Sequence, residues 1–217
     1  MRLTSRLSQV VNPPLIVGLV GGIGSGKSFV ASLFARQYGA RVIDADRIVG
    51  TLLRRPSILA RIRRLWGPET IRKDGSLDRK VVARRVFEKR SEVAKLNRLL
   101  HPLVRREMRR ELARRRRGVV VLDAPLLLEA GLSAWCDVVV FVAAPRAVRL
   151  ARVKRTRGWD AAELRRREAL QLPIARKRAR ADAIVPNAGS PAETSRAVAR
   201  ILRDRIARSA NGSPRRG

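Results

Sequence analysis

Several kinds of chemistry are excluded by what this 217-residue chain lacks. It has one cysteine, Cys136, so no disulfide framework can form within it. That usage fits a reducing compartment and makes the expected location cytoplasmic. Cys136 lies beside a predicted strand and reads as a small buried side chain, not a reactive thiol. His101 is the only histidine, which excludes a His pair or a His-based metal cluster. No apolar run approaches the roughly 20 residues of a membrane-spanning helix, so no membrane partner is expected. Acids and lysines are scarce too. Against 49 basic residues stand 18 acidic ones, and only seven of the 49 are lysine.

The net charge of +31 is therefore an arginine charge. A field of that sign attracts anionic substrates, and it can also be a footprint for nucleic acid. The arginines are spread over most predicted helices and are not gathered on one motif. An arginine-rich codon usage would give the same skew. The first reading is solvated basic surface, with a basic P-loop protein that binds nucleic acid as the alternative. Arg114 to Arg117 is the one tight run, and it ends a helix, where cations suit the dipole. With 45% hydrophobic residues, the chain can build a substantial core in one α/β domain.

Gly21 to Ser28 read G-G-I-G-S-G-K-S and fit G-x-x-x-x-G-K-[ST]. Before the loop, Leu15 to Val20 is an apolar run suited to a buried parallel strand. After it, Phe29 to Ala35 has apolar residues at helical spacing. Strand, glycine loop and helix together make a P-loop, the grip for the phosphates of a nucleoside triphosphate. Glycines let backbone N–H groups turn inward without Cβ clashes. Gly22, Gly24, Ser25, Gly26, Lys27, Ser28 and Phe29 are the residues expected at the nucleotide. Lys27 would neutralise the outer phosphates, and the Ser28 hydroxyl would ligate Mg2+. The implied cofactors are ATP and Mg2+.

Five apolar runs predict strands: Leu15–Val20, Arg41–Ile43, Val119–Leu122, Val138–Val142 and Ala183–Val185. Helical stretches separate them, so the expected fold is an α/β P-loop NTPase with a five-stranded parallel sheet and helices on both faces. The gap between the second and third runs is too long for one crossover. Residues 47–117 are expected to form a helical insertion, with Arg72 to Ser76 as a turn and Pro56 and Pro102 punctuating helices. An arginine-rich helical segment spans 146–180. The kinase domain is placed at 14–208, between a loose extension of residues 1–13, which lacks the marks of a signal peptide, and a disordered basic tail at 209–217.

Two strand ends carry carboxylates. Asp44 and Asp46 end the second run, where ligands sit in open α/β sheets. Two residues apart in an extended chain, they would lie on one side. One can orient an attacking hydroxyl and take its proton, while the other anchors the turn or starts a helix. Asp123 ends the third run, where it can support a metal or hold the Asp-Ala-Pro turn. Pro125 is expected to stop that strand and open a short helix, with Leu126 to Leu128 lining an acceptor pocket.

The set G-G-I-G-S-G-K-S, V-I-D-A-D, L-L-H-P-L-V, D-A-P-L-L-L-E and A-D-A-I-V-P-N-A-G, in this order, resembles the dephospho-CoA kinases, from about Pro14 to Ile206. The resemblance implies ATP-dependent phosphorylation of the ribose 3′-hydroxyl of dephospho-CoA, the last step of coenzyme A synthesis. It makes the insertion the acceptor-binding part and residues 146–180 a mobile lid. Asp46 matches the family's catalytic base. Asp44, His101, Pro125 and Leu126 fall on the acceptor side, though His101 can equally make a helix-start hydrogen bond before Pro102. Arg152, Arg155 and Arg157 are the lid candidates to reach the transferring phosphate. Asn187 and Gly189 match the loop beside the adenine. Phe29 stands where the family usually has threonine, and Pro186 replaces a common acid. The implied partners are dephospho-CoA and ATP, with the chain a monomer or weak oligomer. Another small-molecule P-loop kinase, for nucleosides or nucleotides, is the rival within the fold.

Overall fold

A computed structural model describes residues 11–210. The sheet strands are β1 (Leu15–Val20), β2 (Arg41–Asp44), β3 (Val119–Asp123), β4 (Val138–Ala143) and β5 (Ala183–Pro186), in the order β2-β3-β1-β4-β5. β1 pairs in parallel with β3 and β4, and β4 pairs in parallel with β5. The helices are α1 (Lys27–Tyr38), α2 (Ala45–Leu52), α3 (Pro56–Trp66), α4 (Arg79–Glu88), α5 (Arg90–Ala113), α6 (Arg146–Arg157), α7 (Ala161–Glu168), α8 (Ile174–Ala179) and α9 (Pro191–Ala210).

Two compact units divide the chain: one runs to Ile43 and resumes at Arg114, and the other is Asp44–Ala113. The helical unit thus starts and ends a little earlier than the sequence suggested. No linker follows β2, because α2 begins at the next residue. On the return, Arg115 donates to the Gly39 carbonyl at 3.4 Å, and Gly118 N–H donates to the Val11 carbonyl at 2.8 Å. The arginine run therefore belongs to the sheet unit. Val11 itself is buried in the core, so ordered packing begins ahead of Pro14; residues 1–10 and 211–217 lie outside the described residues.

Strands β3 and β4 are valine-rich and almost entirely buried, as strands covered on both faces must be. On one face, Val17, Val121 and Val140 pack with Val30 and Phe34 of α1 and Val198 and Leu202 of α9. On the other, Gly18 sits beneath Leu127 and Cys136. A Cβ at Gly18 would lie 2.6 Å from Cys136 Sγ and 3.1 Å from Leu127 Cδ1. Cys136 is thus a packed core thiol.

Register then places the loop ends. Leu19 pairs with Asp123, and Ala143 with Pro186, so the chain after β1, β3 and β5 emerges at one edge. The segment after β3 differs from expectation. Pro125 to Gly131 form consecutive turns, not a helix, and lead to a 3-10 turn at Leu132–Trp135. Leu127 and Leu128 are buried, and Pro125 and Leu126 are half-buried.

In the helical unit, Ile58, Ile62 and Trp66 recur every four residues along α3 and pack with Leu77, Val82, Val86 and Leu100. Trp66 Nε1 donates to Glu92 at 2.6 Å. Pro102 does not bound a helix: it lies inside α5. Its ring is exposed, and the apolar stripe of Leu100, Val104 and Met108 holds the helix through the missing hydrogen bond.

Gly18→Ala is expected to destabilise the fold by about 1–3 kcal/mol through overpacking against Cys136. Denaturant unfolding measures this, and the double change Gly18→Ala with Cys136→Ala should recover much of the loss.

Candidate active site

The loop between β1 and α1 turns on three glycines with positive φ: Gly21 at 154°, Gly24 at 77° and Gly26 at 89°. At Gly21 a Cβ would come within 2.7 Å of the Val142 carbonyl oxygen. At Gly24 it would come within 2.7 Å of the Arg149 carbonyl oxygen. Both neighbours are backbone and cannot move aside, so side chains are excluded there.

When a loop turns its N–H groups inward, its carbonyls point outward and need donors. This structure supplies them. Ser25 N–H donates to the Gly22 carbonyl at 3.1 Å. Arg149 Nη1 donates to Ile23 O at 3.2 Å, and Arg152 Nη1 to Ser25 O at 3.1 Å. Asn187 Nδ2 also donates to Ser25 O, at 2.7 Å. Lys27 Nζ lies 3.5 Å from the carbonyl oxygens of Gly21 and Gly22, curled over the loop. The Ser25 hydroxyl is buried without a hydrogen-bond partner, a donor left for a ligand oxygen.

Ser28, in the first turn of α1, donates its hydroxyl to Asp123 Oδ2 at 3.0 Å. The Leu19–Asp123 register produces this meeting. A hydroxyl and a carboxylate side by side, at a loop that binds phosphate, are a donor set that fits Mg2+. Among the described residues no three His, Cys, Asp or Glu side chains cluster to hold a metal alone, so phosphate oxygens would have to complete such a shell. Phe29 turns its ring into the core, leaving only its backbone to the loop.

Of the three arginine candidates, Arg152 alone is shown on the loop. Besides Ser25 O it donates to the Asn187 carbonyl at 2.8 Å. Arg155 is exposed on α6. Arg157 stacks on Trp159 at 4.7 Å, with Arg167 on the same ring at 4.0 Å. Arg149, three residues before Arg152 on the same helix face, was not singled out by sequence reading. It is buried and also pairs with Glu168. A buried arginine at that spacing was the only signal, and in a chain so rich in arginine it was invisible.

Asn187 is buried, with its N–H on the Ala143 carbonyl at 2.7 Å and its Oδ1 accepting from Thr194 at 3.3 Å. Gly189 is exposed, and a Cβ there would meet Glu193 Oε2.

The helical unit carries the remaining candidates. Asp44 is the N-cap of α2, its Oδ1 accepting from Arg47 N–H at 3.0 Å. Asp46 is exposed in the first turn, where a carboxylate suits the helix dipole. Because the helix starts at Ala45, the two carboxylates do not share a strand face as an extended chain would have required. Of the two open readings, the cap falls to Asp44. His101 lies mid-helix in α5, so it makes no helix-start bond. Burial, and then the Arg105 charge, hold its pKa below the usual imidazole value.

A glycine loop whose carbonyls are held by donors from α6 and Asn187, its lysine, and a serine–aspartate pair on a parallel sheet define a P-loop phosphotransferase. A family model described as dephospho-CoA kinase matches residues 15–193. A dephospho-CoA kinase of Anaeromyxobacter dehalogenans is 42% identical over 87% of this chain and 91% of its own length. The structure of TT1252 from Thermus thermophilus is 37% identical and superposes with a TM-score of 0.76, covering 88% of this chain and 97% of that one. Dephospho-CoA kinase from Campylobacter jejuni, at 21% identity, shares the fold with a TM-score of 0.63 over 87% and 96% of the two chains. This chain belongs to the dephospho-CoA kinase family.

Asn187→Ala removes a buried donor from Ser25 O. The expected cost is about 1–3 kcal/mol of stability, together with weaker ATP binding. Unfolding and ATP titration measure the two effects, and unchanged ATP affinity would show that the loop stands without this latch.

Proposed function

We propose that this chain moves the γ-phosphoryl group of ATP to the ribose 3′-hydroxyl of dephospho-CoA, giving CoA and ADP, with Asp46 as general base. The observation that carries the reading is the outward satisfaction of the loop carbonyls, which keeps the inward N–H groups for a triphosphate in a chain of this family.

Each role follows from position. Inward N–H groups and the N-terminal end of α1 hold the phosphates. Lys27 adds charge at the outer phosphates, and Arg152 keeps a second cation beside the loop. Ser28 and Asp123 would hold Mg2+, which when bound neutralises charge on the β- and γ-phosphate oxygens. Asp46 accepts the proton of the 3′-hydroxyl as its oxygen attacks phosphorus. The bond from the γ-phosphorus to the bridging oxygen then breaks, and ADP leaves. Asp44 contributes by fixing the turn that carries Asp46. His101, Pro125 and Leu126 are assigned to the acceptor side, and Asn187 and Gly189 to the adenine side. Within the segment 146–180, Arg149, Arg152 and Lys177 pack in or beside the loop, and the exposed part between them acts as the lid that excludes water during transfer.

No helix among the described residues is long and apolar enough to cross a membrane.

Purified protein with ATP, Mg2+ and dephospho-CoA should yield CoA, and Lys27→Ala should not. Asp46→Asn should lower kcat by about 10²–10⁴-fold and leave ATP binding intact. Near-normal turnover by Asp46→Asn would remove Asp46 from the base role. Turnover of nucleosides or nucleotides in place of dephospho-CoA would overturn the acceptor.

A further inference from the structure

Among the described residues of the sheet unit, two cations are almost wholly buried, and each is paired. One is Arg149 with Glu168. The other is Lys177 on α8, whose side chain is 2% exposed, with Nζ 3.1 Å from Glu129 Oε1. Lys177 also donates to Gln171 Oε1 at 2.8 Å. The same Glu129 oxygen accepts the Leu172 N–H at 2.8 Å. One carboxylate on the turns after β3 therefore holds both α8 and the segment that leads into it.

That segment abuts the glycine loop. A Cβ at Gly22 would lie 3.1 Å from Ile174 Cδ1 and 2.8 Å from Arg149 Nη1. Gly22, Gln171, Ile174 and Lys177 also share the lining of a cavity of about 200 Å³. The Glu129 carboxylate thus fixes Leu172 N–H, two residues before Ile174, whose side chain lies beside Gly22 at the wall of this cavity.

Stability alone does not explain a lysine here. Burying an ammonium costs several kcal/mol, and an apolar pair of equal volume often serves the fold as well or better. Acids are also scarce, at 18 against 49 bases. Spending one of them on a buried lysine, one of only seven, marks a place where geometry matters.

We propose that Lys177 and Glu129 are positioning residues for the nucleotide loop: the pair sets the segment Gln171–Ile174 against Gly22, and thereby sets where the phosphates sit. The proposal rests on the reading that this loop holds ATP. Neither residue touches the reacting atoms. Their loss moves the loop floor, and small misplacements at a phosphate cradle are costly.

The test uses the full chain with three variants: Lys177→Met, Glu129→Gln, and both together. Glu129→Gln keeps the volume and removes the charge that holds Lys177 and strengthens the Leu172 N–H bond, so it reports even if Lys177→Met fails to fold. ATP affinity is measured by calorimetry without acceptor, and the KM values for ATP and dephospho-CoA are measured separately. The expected result is a loss of about tenfold or more in ATP affinity in each folded single variant, with the dephospho-CoA KM within about twofold of wild type. In the double variant, thermal stability should return toward wild type, because no buried charge is left alone, while ATP affinity stays low. ATP affinity within about twofold of wild type in all folded variants, with only the melting temperature shifted, would overturn the proposal. Because the calorimetry needs no acceptor, its result stands apart from whether dephospho-CoA is the substrate.

Discussion

The structure depends on turning a short stretch of backbone inside out. For the loop after β1 to offer N–H groups to phosphate, its carbonyls must face the protein, where each needs a donor. The surroundings of the loop answer that demand. Arg149 and Arg152 come from one face of α6, and Asn187 comes from the end of β5. These elements are far apart in sequence and meet only because the parallel register brings the ends of β1, β4 and β5 to one edge. The glycines are the other half of the constraint, since backbone on the outside of the loop leaves no room for Cβ atoms at Gly21 and Gly24.

Charge is divided unevenly. Among the described residues many ion pairs lie at the surface of helices, such as the exposed Arg166 with Glu163, and pairs of that kind contribute little to stability. Carboxylates with fixed tasks behave differently. Asp44 caps α2, Asp78 caps α4 and Asp123 receives Ser28. Asp137 and Asp182 accept backbone N–H groups of Ile16 and Val139 at 2.7 Å, closing the opposite edge of the sheet. With so few acids, nearly every one that touches the sheet unit's backbone has a structural duty, and the arginine excess is left to the surface.

The sequence made some of this legible and hid the rest for definable reasons. Gly21 to Ser28 could be read because loop geometry dictates glycine at set intervals, and Asp123 because a strand end is visible as the end of an apolar run. Asp44 and Asp46 were visible as a pair, but their division of labour was not: it turns on whether the chain is strand or helix at Ala45, a one-residue question that periodicity does not resolve. Pro102 misled because helix interiors normally exclude proline, and tertiary packing of α5 overrode that preference. Pro125 misled differently, since the leucines after it have helical composition but are consumed by the core above Gly18. Among the arginines, Arg152 could not be told from Arg155 or Arg157, because what separates them is contact with a loop more than a hundred residues away.

The glycine geometry also has a consequence for how such a chain can drift. Glycine and arginine codons differ by a single base, and arginine is common at the exposed helix positions of this chain. At Gly21, Gly24 and Gly26 that exchange is closed, because positive φ and neighbouring backbone or buried side chains admit no Cβ at all. At Gly75 and Gly158 there is open space, and only the backbone angle resists. Mutational pressure of constant direction would therefore leave a map of its own: arginine accumulates up to the rim of the phosphate loop and stops there, so the boundary of the functional surface is written in the residues that the drift has failed to replace.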